Sequence, residues 1–165
     1  MRRLAVLTAV AVTASIVVAV LATSGSAQPG SRTLTFTESN RGATFRFIDV
    51  PPRSERRRGF PTRISPGDEF VFGNTLLDSE RRRAGRLEGY CKALRAGRFE
   101  RIRFGCWGHA RLTDGTLSFT ADLTFARGPI RGEVTGGSGA YEGANGSFTS
   151  RGERPTVDTF HIVTF

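Results

Sequence analysis

Hydrophobic and polar residues alternate along much of this chain, and the alternation is clearest from Thr116 to Phe125. This segment reads TLSFTADLTF, and its apolar side chains occupy every second position: Leu117, Phe119, Ala121, Leu123 and Phe125. Successive side chains of a β-strand point to opposite faces, so the apolar residues share one face and the polar residues share the other. The pattern therefore predicts a strand with one buried side and one solvated side.

Similar segments recur along the chain and predict about eight strands and no convincing helix. They cover residues 32–40 (continued or followed by 44–50), 69–77, 86–94, 99–112, 116–125, 130–135, 147–151 and 157–165. Prolines predict a loop over 51–66, and the glycine-rich stretch 136–146 predicts a tight corner against which Tyr141 packs. A chain of such strands must close or stack its sheet to bury the apolar faces. We therefore expect an all-β fold, a single antiparallel eight-stranded β-barrel whose interior is filled by side chains or holds one small ligand.

The first part of the chain has the layout of a secretory signal peptide. Arg2 and Arg3 precede an apolar run over 4–22, and small residues follow up to Ala27. We expect a signal peptide at 1–27, one barrel domain at 28–165 and a secreted protein. The apolar run is also long enough to span a membrane, so an uncleaved N-terminal anchor is the alternative.

The chain is strongly basic, with 24 Lys and Arg residues, 15 Asp and Glu residues and a net charge of +9. Arginines cluster at 56–58 and 81–83, in predicted loops where solvated charge is the plain interpretation. The sharper interpretation is contact with an anionic polymer of the cell wall. Aromatic residues do not interleave with these arginines, so we expect no specific nucleic-acid partner.

The chain has two cysteines, Cys91 and Cys106. Cys91 shares a strand face with Leu87, and Cys106 shares one with Ile102 and Phe104, so both sulfurs can point inward from neighbouring strands. In an exported protein an even pair predicts a disulfide, and a free thiol at Cys91 is the alternative. The spacing fits no CxxC or Cys/His metal site, and we expect neither a metal nor a cofactor.

Three polar residues interrupt the apolar faces of predicted strands. In the first strand, the period that places Leu34 and Phe36 inside also places Glu38 and Asn40 there. In 69–77, Asn74 falls in phase with Phe70, Phe72 and Leu76. Burying such groups costs several kcal/mol unless they are paired, and a buried glutamate has a raised pKa that suits proton transfer. The structural alternative is that they lie at the barrel rim in water, or that Glu38 pairs with an arginine.

Three segments of the chain resemble the allene oxide cyclase and dirigent superfamily of small, calycin-type β-barrels. They are GDEFVFGNTLLD, RLEGYC and TGGSGAYEGANGSF, and the resemblance covers Thr33 to about Arg151. In allene oxide cyclases a glutamate and an asparagine of the first strand line the cavity, and FTESN matches them at Glu38 and Asn40. The GDxxxFxN motif matches at Phe72 and Asn74, and a cavity cysteine matches at Cys91.

The resemblance implies roles for these residues. Glu38 would act as acid, base or charge stabiliser, while Asn40 and Asn74 would hold the reacting oxygen or a water. Phe36, Phe70, Phe72 and Cys91 would form the cavity wall. The tyrosine that cyclases carry before the TGG segment is absent here, where the chain reads FARGPIRGEV. For the dirigent branch, Arg46, Asp49 and Asp122 are candidates that no motif places.

The sequence therefore predicts a secreted barrel that binds a small hydrophobic molecule, such as an oxylipin, polyene or phenol, and guides its cyclisation as an isomerase. The first alternative is a non-catalytic dirigent-like protein or lipid carrier of the cell envelope. The second is polyanion binding through the arginine-rich loops. Whether the chain is an enzyme stays open at this point, and the resemblance implies a homodimer or homotrimer as its oligomeric state.

Overall fold

The computed structural model describes residues 30–51, 63–124, 128–152 and 155–164. The predicted signal peptide and the arginines at 56–58 lie outside these residues. Within them, no helix has both the length and the apolar character needed to cross a membrane.

Eight strands close into an antiparallel barrel, as the alternating pattern predicts. The ten described strands are β1 (Gly30–Ile48), β2 (Arg63–Ile64), β3 (Glu69–Leu77), β4 (Arg83–Ala93), β5 (Gly97–Arg98), β6 (Phe104–Leu112), β7 (Gly115–Leu123), β8 (Ile130–Gly139), β9 (Asn145–Arg151) and β10 (Val157–Thr164). The barrel order is β1-β10-β9-β8-β7-β6-β4-β3, and β2 pairs with β5 outside it. The all-β, single-barrel fold predicted from the sequence is thus confirmed.

The strand β7 shows how the alternation produces the barrel. Its inward residues Leu117, Phe119, Ala121 and Leu123 are buried, and its outward residues are exposed or half-buried. The strands β6, β9 and β10 repeat this division, and the inward residues of the barrel meet in one apolar interior. Closing the sheet leaves these strands without a free edge in the barrel.

The long strand β1 bends at a bulge, which the sequence pattern does not reveal. Ser39 pairs with Thr75 and Thr44 pairs with Gly73, so four residues of β1 (40–43) face a single residue of β3. Gly42 has a φ of +77°, which favours glycine at this point. From outside, Arg86 donates hydrogen bonds to the Gly42 carbonyl and to Thr44 Oγ1, each at 3.1 Å, and so holds the bulge in place.

The predicted strand over 99–112 is wrong at its start. Phe99–Arg101 forms a 3-10 turn, and the strand β6 begins only at Phe104. The reason is packing: Ile102 is buried, and the Phe99 ring contacts the Phe104 ring edge-on at 5.7 Å between centroids. Ile102 therefore packs inward, whereas residues 100, 101 and 103 stay exposed, and the segment does not extend the ladder.

The predicted corner over 136–146 is shorter than expected, because residues 136–139 continue the strand β8 and the turn itself occupies 140–144. Tyr141 packs in this corner as predicted, with only 2% of its surface exposed. Its hydroxyl donates a 2.7 Å hydrogen bond to Asp114 Oδ1 in the neighbouring β6–β7 turn. Burial and this bond together raise the pKa of Tyr141 to about 12. The corner is thereby tied to the adjacent hairpin.

Asp68 of the GDEFVFGN segment is a structural residue. Its side chain is fully buried, and it accepts hydrogen bonds from the Val50 and Ser65 amides and from the Ser65 hydroxyl, at 2.8 to 3.0 Å. Gly67 before it has a φ of +90°, which favours glycine. The GD pair therefore anchors the chain where it enters β3.

Candidate functional site

The barrel interior contains a pocket of about 370 Å³. Its described apolar lining consists of Phe45, Phe70, Phe72, Leu87, Cys91, Cys106, Phe119, Ala121, Leu123, Ile130 and Phe148. The remaining described lining consists of Glu38, Asn74, Thr124, Gly128, Ser150, Gly152 and Thr156. A volume of this size with a mostly apolar wall and few polar groups is typical of a site for a small molecule.

A pair of glycines gives two phenylalanine rings their place on the pocket wall. Gly89 and Gly108 are directly opposite each other on β4 and β6. A Cβ atom at Gly89 would lie 2.8 Å from Cζ of Phe72, and one at Gly108 would overlap the Phe119 ring. The two rings therefore lie over bare backbone, which no other residue type allows without displacing them.

Glu38 and Asn74 meet inside the barrel, on the neighbouring strands β1 and β3. Glu38 pairs with Leu76 in the ladder, so Asn74 is its diagonal neighbour on the same face. Asn74 Nδ2 donates a 2.8 Å hydrogen bond to Glu38 Oε2. The backbone amide of Glu38 also donates to the Thr156 carbonyl at 2.8 Å. Both the carboxyl group and the strand that carries it are therefore fixed in position.

A second carboxyl group, that of Asp158 on β10, lies next to Glu38 and is completely buried. Asp158 pairs with Phe36 on β1 and with Ser150 on β9. Neither of its oxygens has a partner with regular hydrogen-bond geometry among the described residues. Two ionised carboxylates repel each other, whereas one that is protonated can donate to the other.

The surroundings raise the pKa of both acids. Burial, followed by the charge of Asp158 and a hydrogen bond with it, raises the pKa of Glu38 from 4.5 to about 8. Burial raises the pKa of Asp158 from 3.8 to about 6, although Ser150 and Glu38 partly oppose this rise. The two acids titrate as a coupled pair, and their surroundings keep protons on the pair at a higher pH than either acid would hold them in water.

Cys91 and Cys106 form a disulfide directly across β4 and β6, with their Cα atoms 4.0 Å apart. The predicted disulfide is thus confirmed, and the alternative of a free thiol at Cys91 is wrong. Both cysteines line the pocket. Their role there is to close the wall, since a disulfide has no acidic proton to supply.

The structure brings some predicted site residues together and separates others. Glu38, Phe70, Phe72 and Asn74 line the pocket together with the disulfide. Asn40 is exposed and lies outside this lining, because the bulge at 40–43 ends the alternation on which its inward position depended.

Phe36 is buried against Phe160, at 6.3 Å between ring centroids, and is not part of the described pocket lining. The dirigent candidates Arg46 and Asp122 are exposed, and Asp122 accepts from Arg103 on the surface. Asp49 follows the end of β1 and is half-buried.

Sequence reasoning missed Asp158, Phe119 and Phe148. Asp158 carried a usable signal, because it is in phase with the inward residues Phe160 and Ile162 of the same strand. This is the pattern that singled out Glu38. Among the described residues, no group of three His, Cys, Asp or Glu side chains is placed to hold a metal ion.

Comparison with solved structures shows the same barrel in proteins of low sequence identity. Pyocyanin demethylase is 17% identical at a TM-score of 0.60, over 81% of this chain and 99% of that one. The pterocarpan synthase dirigent protein GePTS1 is 17% identical at 0.54, over 92% and 96% of the two chains. The Diels-Alderase AbmU from Streptomyces koyangensis is 16% identical at 0.51, over 84% and 69%.

No protein-family model matches the chain, and no curated protein matches it either. The structural matches confirm the predicted resemblance to cyclase and dirigent-like barrels at the level of fold.

Proposed function

We propose that this barrel binds a small, largely apolar molecule in its interior pocket and that Glu38, Asp158 and Asn74 guide an isomerisation or cyclisation of it. The observation that carries the proposal is the pair of neighbouring carboxyl groups, Glu38 in the lining and buried Asp158 beside it, at one wall of a mostly apolar pocket. A buried acid pair without a function would cost stability, because each group loses its hydration.

Each polar group has a distinct part in the proposed reaction. Glu38, protonated near neutral pH, donates to an oxygen of the substrate and so promotes the breaking of a carbon–oxygen bond. The transfer leaves Glu38 as a carboxylate beside Asp158, and the negative charge of the pair stabilises the positive charge that develops on the substrate until the proton returns to Glu38. Asn74 fixes Oε2 of Glu38, which leaves Oε1 for the proton.

The apolar wall supplies the positioning. A flexible molecule enclosed by Phe70, Phe72, Phe119 and Phe148 has few conformations, and those that bring its ends together favour ring closure. The names of two similar barrels, a Diels-Alderase and a dirigent protein, support a role of this kind for the fold.

The cellular setting belongs to the same proposal. We place cleavage of a signal peptide after Ala27 and the barrel outside the cytoplasm, and the Cys91–Cys106 disulfide supports an oxidising compartment. Contact of the basic outer surface with an anionic cell-wall polymer, and assembly into a homodimer or homotrimer, also remain proposals.

The test begins with the molecule that co-purifies with the exported protein, identified by mass spectrometry. The unmodified precursor is then incubated with the wild type, with Glu38→Gln and with Glu133→Gln, an exposed glutamate on the outside of β8. We expect Glu38→Gln to retain binding and to lose at least a hundredfold in turnover, while Glu133→Gln matches the wild type. Equal turnover by all three proteins would refute the catalytic role of Glu38.

The carrier alternative makes a different prediction in the same experiment. In this case the ligand binds tightly to the wild type and is recovered unchanged, and every related epoxide or polyene is also recovered unchanged. That result would show that the protein is a carrier and not an isomerase.

A further inference from the structure

The described lining of the pocket contains no positively charged side chain, although the chain carries 24 Lys and Arg residues. The only ionisable side chain in that lining is Glu38, and the second acid, Asp158, lies directly behind it. In a chain of net charge +9, the interior is thus a local exception of opposite sign.

Several described basic residues form ion pairs on the outside of the barrel. Arg86 and Arg111 both pair with Glu88, and Lys92 pairs with Glu69, at 2.8 to 3.5 Å. Among the described residues, neither Glu38 nor Asp158 forms an ion pair with a basic group. Within the described part of the chain, no basic side chain compensates a negative charge of the pair inside the barrel.

We infer that the pocket selects neutral or cationic ligands and rejects carboxylates, so that its substrate class is an uncharged or positively charged aromatic or polyene molecule and not an ionised fatty acid. This inference rests on the proposed interior binding site. An anion placed beside the acid pair would meet a like charge in a medium of low dielectric constant, where repulsion is poorly screened. It would also lose its hydration without gaining a basic partner from the described lining.

The wall of the pocket favours the opposite charge. Five described phenylalanines line it, and aromatic rings attract cations through the negative potential of their faces. A positive charge that is present on the ligand, or that develops during a rearrangement, would meet both these rings and the acid pair. The same lining therefore favours a cationic ligand and a cationic transition state.

Three probes of one shape test the inference: 2-naphthylmethylamine as the cation, 2-naphthalenemethanol as the neutral form and 2-naphthoate as the anion. Affinities are measured at pH 7 by isothermal titration calorimetry. Each is measured on the wild type, on Glu38→Gln/Asp158→Asn and on Ala121→Trp, whose indole fills the pocket from β7. Only binding that Ala121→Trp abolishes is assigned to the pocket, and circular dichroism verifies that each variant retains the strand spectrum.

For the wild type we expect the cation and the alcohol to bind, and 2-naphthoate to bind at least tenfold more weakly than the alcohol. The affinity of the alcohol for Glu38→Gln/Asp158→Asn should lie within about threefold of its affinity for the wild type. The affinities of the three probes for this variant should also differ from one another by no more than about threefold. Glu133→Gln, which removes one acid from the outer surface, should keep the wild-type order.

Two outcomes would overturn the inference, and only the second would also overturn the interior binding site. If 2-naphthoate binds the wild-type pocket as tightly as the alcohol does, charge selection is wrong while the interior site stands. If none of the three probes shows binding that Ala121→Trp removes, the interior site itself is wrong, and the proposed function fails with it.

Discussion

Asn74 donates its hydrogen bond to Oε2 of Glu38 from the neighbouring strand, and this one contact determines which oxygen of the glutamate is free. Oε1 does not take part in this hydrogen bond, and it is the oxygen to which the proposed reaction assigns the proton. The relationship joins three strands, β1, β3 and β10, at the point where the apolar pocket meets its polar wall. Orientation and proton affinity are therefore set by different neighbours, and each can be altered separately.

The acid pair predicts that stability depends on pH. Both pKa shifts are upward, so the folded chain holds these protons at higher pH than the unfolded chain does. Their contribution to the free energy of unfolding is therefore full below about pH 4 and is lost as the pH rises through about 6 and then about 8. The groups that face Glu38 are Asn74 and Asp158, and Ser150 faces Asp158 from β9.

Urea unfolding at pH 4, 6 and 8 measures this dependence. In Glu38→Gln the side chain stays neutral, so the fall in the free energy of unfolding between pH 4 and 8 should be smaller than in the wild type. Glu133→Gln should keep the wild-type slope. If the free energy of unfolding of Glu38→Gln falls with pH as steeply as that of the wild type, Glu38 titrates in its ordinary range.

Asn74→Ala separates orientation from acidity. Removing the amide leaves the proton on Glu38 but releases its carboxyl group from a fixed direction, so we expect a ten- to hundredfold loss in kcat with KM changed by less than threefold. The bell-shaped or sigmoid pH profile of kcat should keep its midpoint, which distinguishes a positioning residue from an acid. A large rise in KM at unchanged kcat would instead make Asn74 a ligand-binding residue.

The sequence predicted the barrel because its signal is repeated. Period-two alternation in strand after strand, as at Leu117 and Phe119, requires a sheet that closes or stacks, and the resemblance to small β-barrels favours closure. The Cys91–Cys106 bridge and the shared inward position of Glu38 and Asn74 could be predicted in the same way, because each needed only the assignment of residues to a strand face.

The features that sequence missed depend on where that alternation breaks or on contacts across the barrel. Asn40 was misplaced because a bulge leaves no clear mark in the pattern, apart from the glycine at 42. Asp158 was in phase with Phe160, yet only closure of the barrel through β1 and β10 brings it to Glu38. The role of Asp68 as an anchor depends on amides that are remote from any periodic pattern.

The disulfide between Cys91 and Cys106 closes a short loop, since the two residues are 15 positions apart. The entropy of loop closure gives it about 3 kcal/mol of stabilisation. We expect Cys91→Ala/Cys106→Ala to lose about this amount in urea unfolding and to be insensitive to dithiothreitol. The wild type treated with the reductant should move toward the variant. A loss below about 0.5 kcal/mol would mean that the unfolded chain is not constrained by the bridge.

Gly108 allows the sharpest test of how the backbone shapes the pocket. A methyl group at this position would overlap the Phe119 ring, which lies on the pocket wall and stacks on Phe148 at 4.3 Å between centroids. We expect Gly108→Ala to destabilise the fold by about 1–3 kcal/mol, as overpacking does, and to weaken 2-naphthalenemethanol binding because the ring moves into the pocket. Gly136→Ala is the matched control, since nothing lies within 4 Å of its added Cβ atom.

A second substitution shows whether the ring is the cause. In Gly108→Ala/Phe119→Leu the smaller side chain leaves room for the methyl group, so the double variant should be less destabilised than the sum of the two single variants. Additive losses would mean that the alanine strains the β6 backbone itself. In that case the glycine would be required by the ladder between β4 and β6, and the position of Phe119 would not depend on it.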